Sequence, residues 1–262
     1  MNAKTPARDR PAPRAAIVAV AFVGSALALT ACGDDENGSS GASGSDLPQG
    51  SEHVEIDPAE FTTEIDNPYW PMAVGSEWVY RETDQEGTEQ KVVVTVTDRT
   101  KQIANGVEAR VVRDVVTEGG EPVEITDDWY AQDAEGNVWY MGEDTAEYEN
   151  GEVVTRSGSF EAGVDGAEPG IIMPADPKAG MTYRQEYYEG EAEDLGAVIA
   201  LDAQAEVPAG HYDPVLMTQD TNPLEPKVLE FKFYAEDVGP VLAVSVSGGS
   251  DREELVSFEP GG

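Results

Sequence analysis

From about Asp57 onward the apolar residues recur at every second position, and this pattern constrains the fold more than any other feature of the chain. Val92, Val94 and Val96 alternate with Val93, Thr95 and Thr97. Leu229, Phe231, Phe233 and Ala235 alternate with Glu230, Lys232 and Tyr234. Tyr183, Gln185 and Tyr187 alternate with Arg184, Glu186 and Tyr188. Period two belongs to strands, whose successive side chains point to opposite faces. Turn chemistry separates the segments at Glu86-Gly87, Asn105-Gly106, Gly119-Gly120, Glu135-Gly136-Asn137, Asn150-Gly151 and Gly248-Gly249. Such short intervals leave no room for helical crossovers, so the strands should be antiparallel and joined as consecutive hairpins. The expected fold is all-β: a single curved antiparallel sheet or barrel-like sandwich over residues 57–262, with at most short helical turns. One such turn is expected at Asp57-Pro58-Ala59-Glu60, which offers an N-cap, a first-turn proline and an acid at the third helical position. Glu193–Leu201 reads as strand, and the Gly- and Pro-rich residues 161–180 read as a long structured loop.

Charge narrows the function classes. The chain carries 52 acidic and 16 basic residues. Without residues 1–31, which hold four basic residues and one acid, 12 basic and 51 acidic side chains remain, a formal charge of −39. No basic face for a phosphate backbone can be assembled from that set, which excludes nucleic acid as a partner. Acids such as Glu230 and Glu254 fall between apolar positions along their strands, so the outer face of the sheet is expected to be a carboxylate surface.

The N-terminus reads as an address. Residues 1–14 are polar and basic, and residues 15–29 (AAIVAVAFVGSALAL) form an uncharged apolar run. That run is short for a membrane span, which needs about 20 residues, and suits the apolar region of a secretory signal. It ends in Leu29-Thr30-Ala31-Cys32, which resembles the bacterial lipobox, and Cys32 is the only cysteine. Residues 1–31 are therefore read as a lipoprotein signal peptide and Cys32 as the lipidated residue. Two or three acyl chains hold a protein firmly on a membrane where one does not. The Gly/Ser/Asp-rich residues 32–56 are read as the acylated cysteine and a disordered tether, since such a composition buries too little surface to fold. The expected location is the outer face of the bacterial cytoplasmic membrane.

Three further stretches carry a resemblance: DDWYAQDAEGNVWYMGED at 127–144, GIIMPADPKAGMTYRQEYYEGEAED at 170–194 and FKFYAEDVGPVL at 231–242. Together they resemble a family of secreted or lipid-anchored bacterial proteins common in actinobacteria, over most of the chain from Asp66-Asn67-Pro68-Tyr69 to Phe258. The last stretch is also similar to lipoprotein-carrier folds of the cell envelope. That wider resemblance implies an architecture in which a curved antiparallel sheet shelters an apolar cavity. Neither resemblance carries over a catalytic residue.

The candidate site residues are aromatic. Trp129-Tyr130 and Trp139-Tyr140 flank the turn at 133–137, so one ring on each strand should face inward and the other outward, with a cross-strand pair between them. They can serve as core and cross-strand cover, or as a ligand-binding platform or the wall of an apolar pocket. Asp133, Glu135 and Asn137 alternate as calcium ligands do. An EF-hand reading fails because its sixth position is Val138 and no helices flank it, so no metal or other cofactor is assigned. With His53 beside the tether and His211 in a turn, and without a nucleophile motif, no catalytic residue is assigned and the chain is read as a non-enzyme. The leading expectation is a membrane-anchored binding or carrier module for an apolar or amphiphilic ligand. The alternatives are a structural or protein-interaction lipoprotein of the envelope and, less favoured, a glycan hydrolase.

Overall fold

The structure, a computed structural model, describes residues 47–84 and 86–262. The signal peptide, Cys32 and the first part of the tether lie outside the described residues. A 3-10 turn at Pro58–Glu60 comes first, with the Asp57 carboxylate accepting from the Ala59 N–H at 3.0 Å, as the sequence predicts. The strands are β1 (Phe61–Thr62), β2 (Glu77–Thr83), β3 (Glu89–Gln102), β4 (Glu108–Glu118), β5 (Glu121–Asp133), β6 (Val138–Glu149), β7 (Glu152–Thr155) and β8 (Phe160–Glu161). Then follow β9 (Glu168–Met173), β10 (Thr182–Arg184), β11 (Glu186–Tyr187), β12 (Leu195–Val207), β13 (Gly210–Thr221), β14 (Leu229–Ala235), β15 (Gly239–Ser247) and β16 (Arg252–Glu259).

Two hairpin meanders, β2 to β6 and β12 to β16, are joined where β16 pairs with β2. All pairings are antiparallel, and each of the six sequence-predicted turns joins consecutive strands. The all-β, hairpin-built expectation holds, and the sheet curls into a nearly closed barrel. Its seam is the stretch Thr182–Tyr187, whose first half pairs with β12 and whose second half pairs with β9, only Gln185 intervening. β9 in turn pairs with β6. Residues 161–180 are thus more than the loop expected from their Gly and Pro content. They contain β9, an internal strand of the circuit, and Gly170 is there because the seam crosses it closely. A Cβ at Gly170 would lie 2.3 Å from the Gln185 carbonyl carbon.

A second boundary also differs from expectation. Residues 47–56, read as the end of the tether, pack on the barrel through Leu47, Val54 and Ile56. The fully buried Arg184 holds them. Its N–H donates to the Pro48 carbonyl at 2.6 Å, and its guanidinium donates to the carbonyls of Gly50, Glu52 and Pro169. Composition disfavours order in this segment, but an arginine at the seam supplies the partners that the segment lacks by itself.

Facing is the third difference. Along β14 the apolar Phe231 and Phe233 face outward while Glu230, Lys232 and Tyr234 face inward, opposite Asp220, Thr218 and Leu216 of β13. Glu230 therefore belongs to the interior and not to an outer carboxylate surface, whereas Glu254 lies outside in ion pairs with Arg81 and Arg252 at 2.7 and 2.8 Å. Alternation fixes which residues share a face, but not which face is inside.

Because an added methyl at Gly170 would collide with backbone, Gly170→Ala should lower stability by at least about 2 kcal/mol, in the range of overpacked cores. Equilibrium urea unfolding measures this, and an unchanged midpoint would contradict the close seam crossing.

Candidate functional site

The two ends of the barrel interior differ in chemistry. At the end with the β5–β6 turn, Trp78, Val96, Tyr130, Val138, Tyr140, Met173 and Tyr234 form a buried aromatic and aliphatic floor. Trp70 closes it, its ring centroid 5.7 Å from Tyr130 and 5.9 Å from Tyr234. The segment bearing Trp70 is fixed in place. The Gln132 side-chain oxygen accepts from the N–H groups of Asp66 and Asn67 at 3.0 Å, and the Asn67 amide donates to Gly136 and Pro174 carbonyls at 3.1 Å. Toward the opposite end the inward positions are carboxyls: Glu82 on β2, Asp114 on β4, Glu124 and Asp128 on β5, Glu143 on β6, Glu186 on β11, Asp220 on β13, Glu230 on β14 and Glu253 on β16.

Register brings these acids together. Asp128 faces Glu143 across β5–β6, and Glu82 faces Glu253 across β2–β16. Between Asp128↔Glu143 and Tyr130↔Tyr140 the β6 strand carries an extra residue, a bulge beside Gly142, whose φ is 121°. The bulge returns Tyr140 to the same face as Glu143. As a result the Tyr140 hydroxyl lies 2.7 Å from both Asp128 Oδ1 and Glu143 Oε2. A phenol has one proton to donate, so the second carboxyl must itself carry a proton and donate it to the phenol oxygen. Burial raises Asp128 to about 7 against the pull of the Tyr140 hydroxyl, burial with Asp128 alongside pushes Glu143 up, and burial with Asp194 alongside does the same to Glu186. Burial first and neighbouring acids second raise Glu82 to about 8 and Glu124 to about 7. Glu230 rises to about 7 through burial, against the pull of Lys232. Burial opposes the Lys232 ammonium, but Asp220 at 2.9 Å and Glu230 at 3.4 Å outweigh it and hold it above its ordinary value.

The predicted aromatic residues fall into three environments. Tyr130 and Tyr140 are the cross-strand pair, inside the barrel, with ring centroids 5.0 Å apart. Trp139 points outward, edge-on to Phe61 at 5.9 Å, and its indole N–H donates to Asp133 at 2.8 Å. Trp129 lines an open outer depression of about 430 Å³ with Arg99, Lys101, Asp127 and Asp144, and the Lys101 ammonium lies 4.3 Å from its ring centre. The four do not form one platform. The alternating acids of the 133–137 turn are used within the chain: Asp133 accepts from the N–H groups of Glu135 and Asn137, both at 2.9 Å. Among the described residues, no three His, Cys, Asp or Glu side chains are placed to hold a metal ion. Sequence reasoning missed Trp70 and the interior acids. Their signal was present as Glu, Asp and Lys at alternate positions of strands long enough to cross a barrel.

No family model and no curated protein matches the chain. Among solved structures it is similar to a candidate lipoprotein of Parabacteroides distasonis at 13% identity, covering 74% of this chain and 99% of that one, with a TM-score of 0.39. It is also similar to a candidate exported protein of Bacteroides fragilis described as having a YmcC-like fold, at 13% identity, 73% and 99% coverage and a TM-score of 0.40. A β-barrel-like domain of unknown function from Brucella abortus gives 14% identity, 71% and 98% coverage and a TM-score of 0.35.

The raised interior acids make stability fall as pH rises. Between the ordinary carboxylate range and about pH 8 the folded chain holds protons that the unfolded chain has released, so the slope of stability against pH is negative there. The melting temperature should be higher at pH 5.5 than at pH 8 by roughly 5–10 °C, taking about 2–4 °C per kcal/mol for a domain of this size. Scanning calorimetry tests the sign, and a rising Tm over that window would contradict it. Tyr140→Phe removes the hydroxyl between Asp128 and Glu143 and should cost about 1–3 kcal/mol, the penalty of orphaning buried polar groups. Urea unfolding at pH 6 measures that cost.

Proposed function

We propose that this chain is a lipid-anchored, extracytoplasmic binding module without catalytic activity, and that its ligand is received in the carboxyl-lined half of the barrel. The polarity split of the interior carries this reading. A folded core gains stability from hydrocarbon, and an interior that instead collects carboxyls from eight strands gives up stability without any structural return. Such an arrangement is expected where a ligand is to be held. The aromatic end is filled by Trp70, which leaves little for an apolar tail. The interior thus favours a polar ligand, or the polar head of an amphiphile, over a purely apolar one. Buried acid pairs also occur in hydrolases, but Asp128 and Glu143 are only 2% and 3% exposed and are bridged by a tyrosine instead of flanking a cleft.

Location rests on the sequence: a basic start, an apolar run too short to span, and Cys32 directly before a polar tract. Cells expressing the full chain and fed radiolabelled palmitate should incorporate label into it, and Cys32→Ala should abolish incorporation; label retained in the variant would refute acylation at Cys32. Native mass spectrometry of the chain extracted from its own envelope should reveal a mass excess that is lost on denaturation. A bare mass, with a protein partner captured by crosslinking, would favour the interaction lipoprotein instead.

A further inference from the structure

We propose that the carboxyl-lined half of the barrel binds an alkylammonium ligand, a linear di- or polyamine, with ammonium groups seated on Glu82, Glu253 and Asp114. This rests on the reading of that half as the binding region and names its ligand class. Three observations carry it. The first is that these acids lack partners. Glu82 Oε2, Asp114 Oδ1 and Glu253 Oε2 have no hydrogen-bond partner, in residues that are 3%, 3% and 7% exposed. They come from β2, β4 and β16, and Glu82 and Glu253 are direct cross-strand neighbours. A buried acceptor without a donor costs free energy, so three on neighbouring acids point to a donor-bearing cation.

The second observation is the solution the chain uses next door. Lys232 brings an alkylammonium between Asp220 and Glu230, and Thr218 and Gln185 complete the hydrogen bonds of Asp220 at 3.0 and 3.2 Å. Among the described residues no comparable cation pairs with Glu82, Asp114, Glu124 or Glu253. A second ammonium on a methylene chain would repeat the arrangement with chemistry the barrel already accommodates. Val92 and Val116, paired across β3–β4 and buried, offer the methylenes an apolar wall. The third is the Tyr183 hydroxyl, also unpartnered and in a residue 1% exposed, which faces the same polar interior beside Asp220 and Lys232. A metal ion fits less well, because it demands three or more convergent ligands and no such group occurs among the described residues.

Binding should be linked to protons. Around Glu82 stand Asp84, Glu124, Glu230 and Asp251, around Glu253 stand Glu82, Glu230 and Lys232, and around Asp114 stand Glu82, Glu124, Asp128 and Glu253. Carboxyls held protonated in this setting must ionise to pair with an ammonium, so an amine entering near pH 7 displaces protons into the buffer.

The test is calorimetric titration of the full chain with spermidine in about 150 mM salt, where the Debye length is about 8 Å, in two buffers of different ionisation enthalpy. One site with proton release is expected. Glu82→Gln/Glu253→Gln should weaken it at least tenfold, while Glu152→Gln/Glu189→Gln, on exposed residues, should leave it unchanged. Several equal weak sites, insensitive to the interior pair, would overturn the proposal and identify an ion atmosphere on an acidic surface. Should the interior pair fail to fold, carbodiimide labelling of the unaltered chain decides. Spermidine should protect the Glu82 and Glu253 peptides severalfold, and equal labelling would overturn the proposal. An uncharged ligand retained from the envelope would refute the amine while leaving the binding reading intact. A bare mass together with no spermidine site would remove both.

Discussion

Closure at the seam is the constraint on which the rest depends. A curled sheet has two edges, and each edge exposes unpaired N–H and C=O groups until something covers it. Here one extended stretch, Thr182–Tyr187, covers both, donating its first half to β12 and its second half to β9. Without that bridge water would reach the interior from the side, and the carboxyls along β2, β4, β5 and β16 would be ordinary solvated acids. Their unusual protonation is a property of the closed circuit before it is a property of any residue.

Closure also explains how so acidic a chain can tolerate acids inside. Each interior carboxyl is disfavoured as an anion by burial and by its neighbours, so at neutral pH several are held as neutral acids. A neutral acid can donate as well as accept, which is what the Tyr140 hydroxyl requires of either Asp128 or Glu143. The aromatic end works by the opposite principle. Trp70 is inserted between Tyr130 and Tyr234 and is held by the amide ladder of Gln132 and Asn67, so that end is packed and fixed.

Much of the architecture was legible in the sequence, because strand period and turn chemistry are local. The hairpins at Asn105-Gly106 and Glu135-Gly136-Asn137, the capped turn at Asp57 and the strand at Leu195–Val207 all follow from a few adjacent residues. Facing was not legible. On β14 both faces carry large side chains, and only the pairing with β13 decides that Glu230 and Lys232 look inward. Nor was the β6 bulge, which breaks the period at Gly142 and thereby places Tyr140 over the acid pair. Of the candidate residues, the expected cross-strand pair is formed by Tyr130 and Tyr140, but no local rule separates those rings from Trp129 and Trp139, which the barrel wall puts on its other side. The order of residues 47–56 depends on Arg184, more than 130 positions away in the chain, which no reading of composition could supply.

That last contact has a mechanical consequence. Residues 47–53 are fastened to the barrel at Arg184 and Thr182 and through His53 to Glu168 at 2.8 Å. A pull on the chain from its N-terminal side is delivered at the seam, onto the shortest strands of the circuit, rather than onto the long β3–β4 and β12–β13 hairpins. The first rupture under tension would therefore peel β10 and β11 from their partners and open the barrel lengthwise before the two meanders came apart.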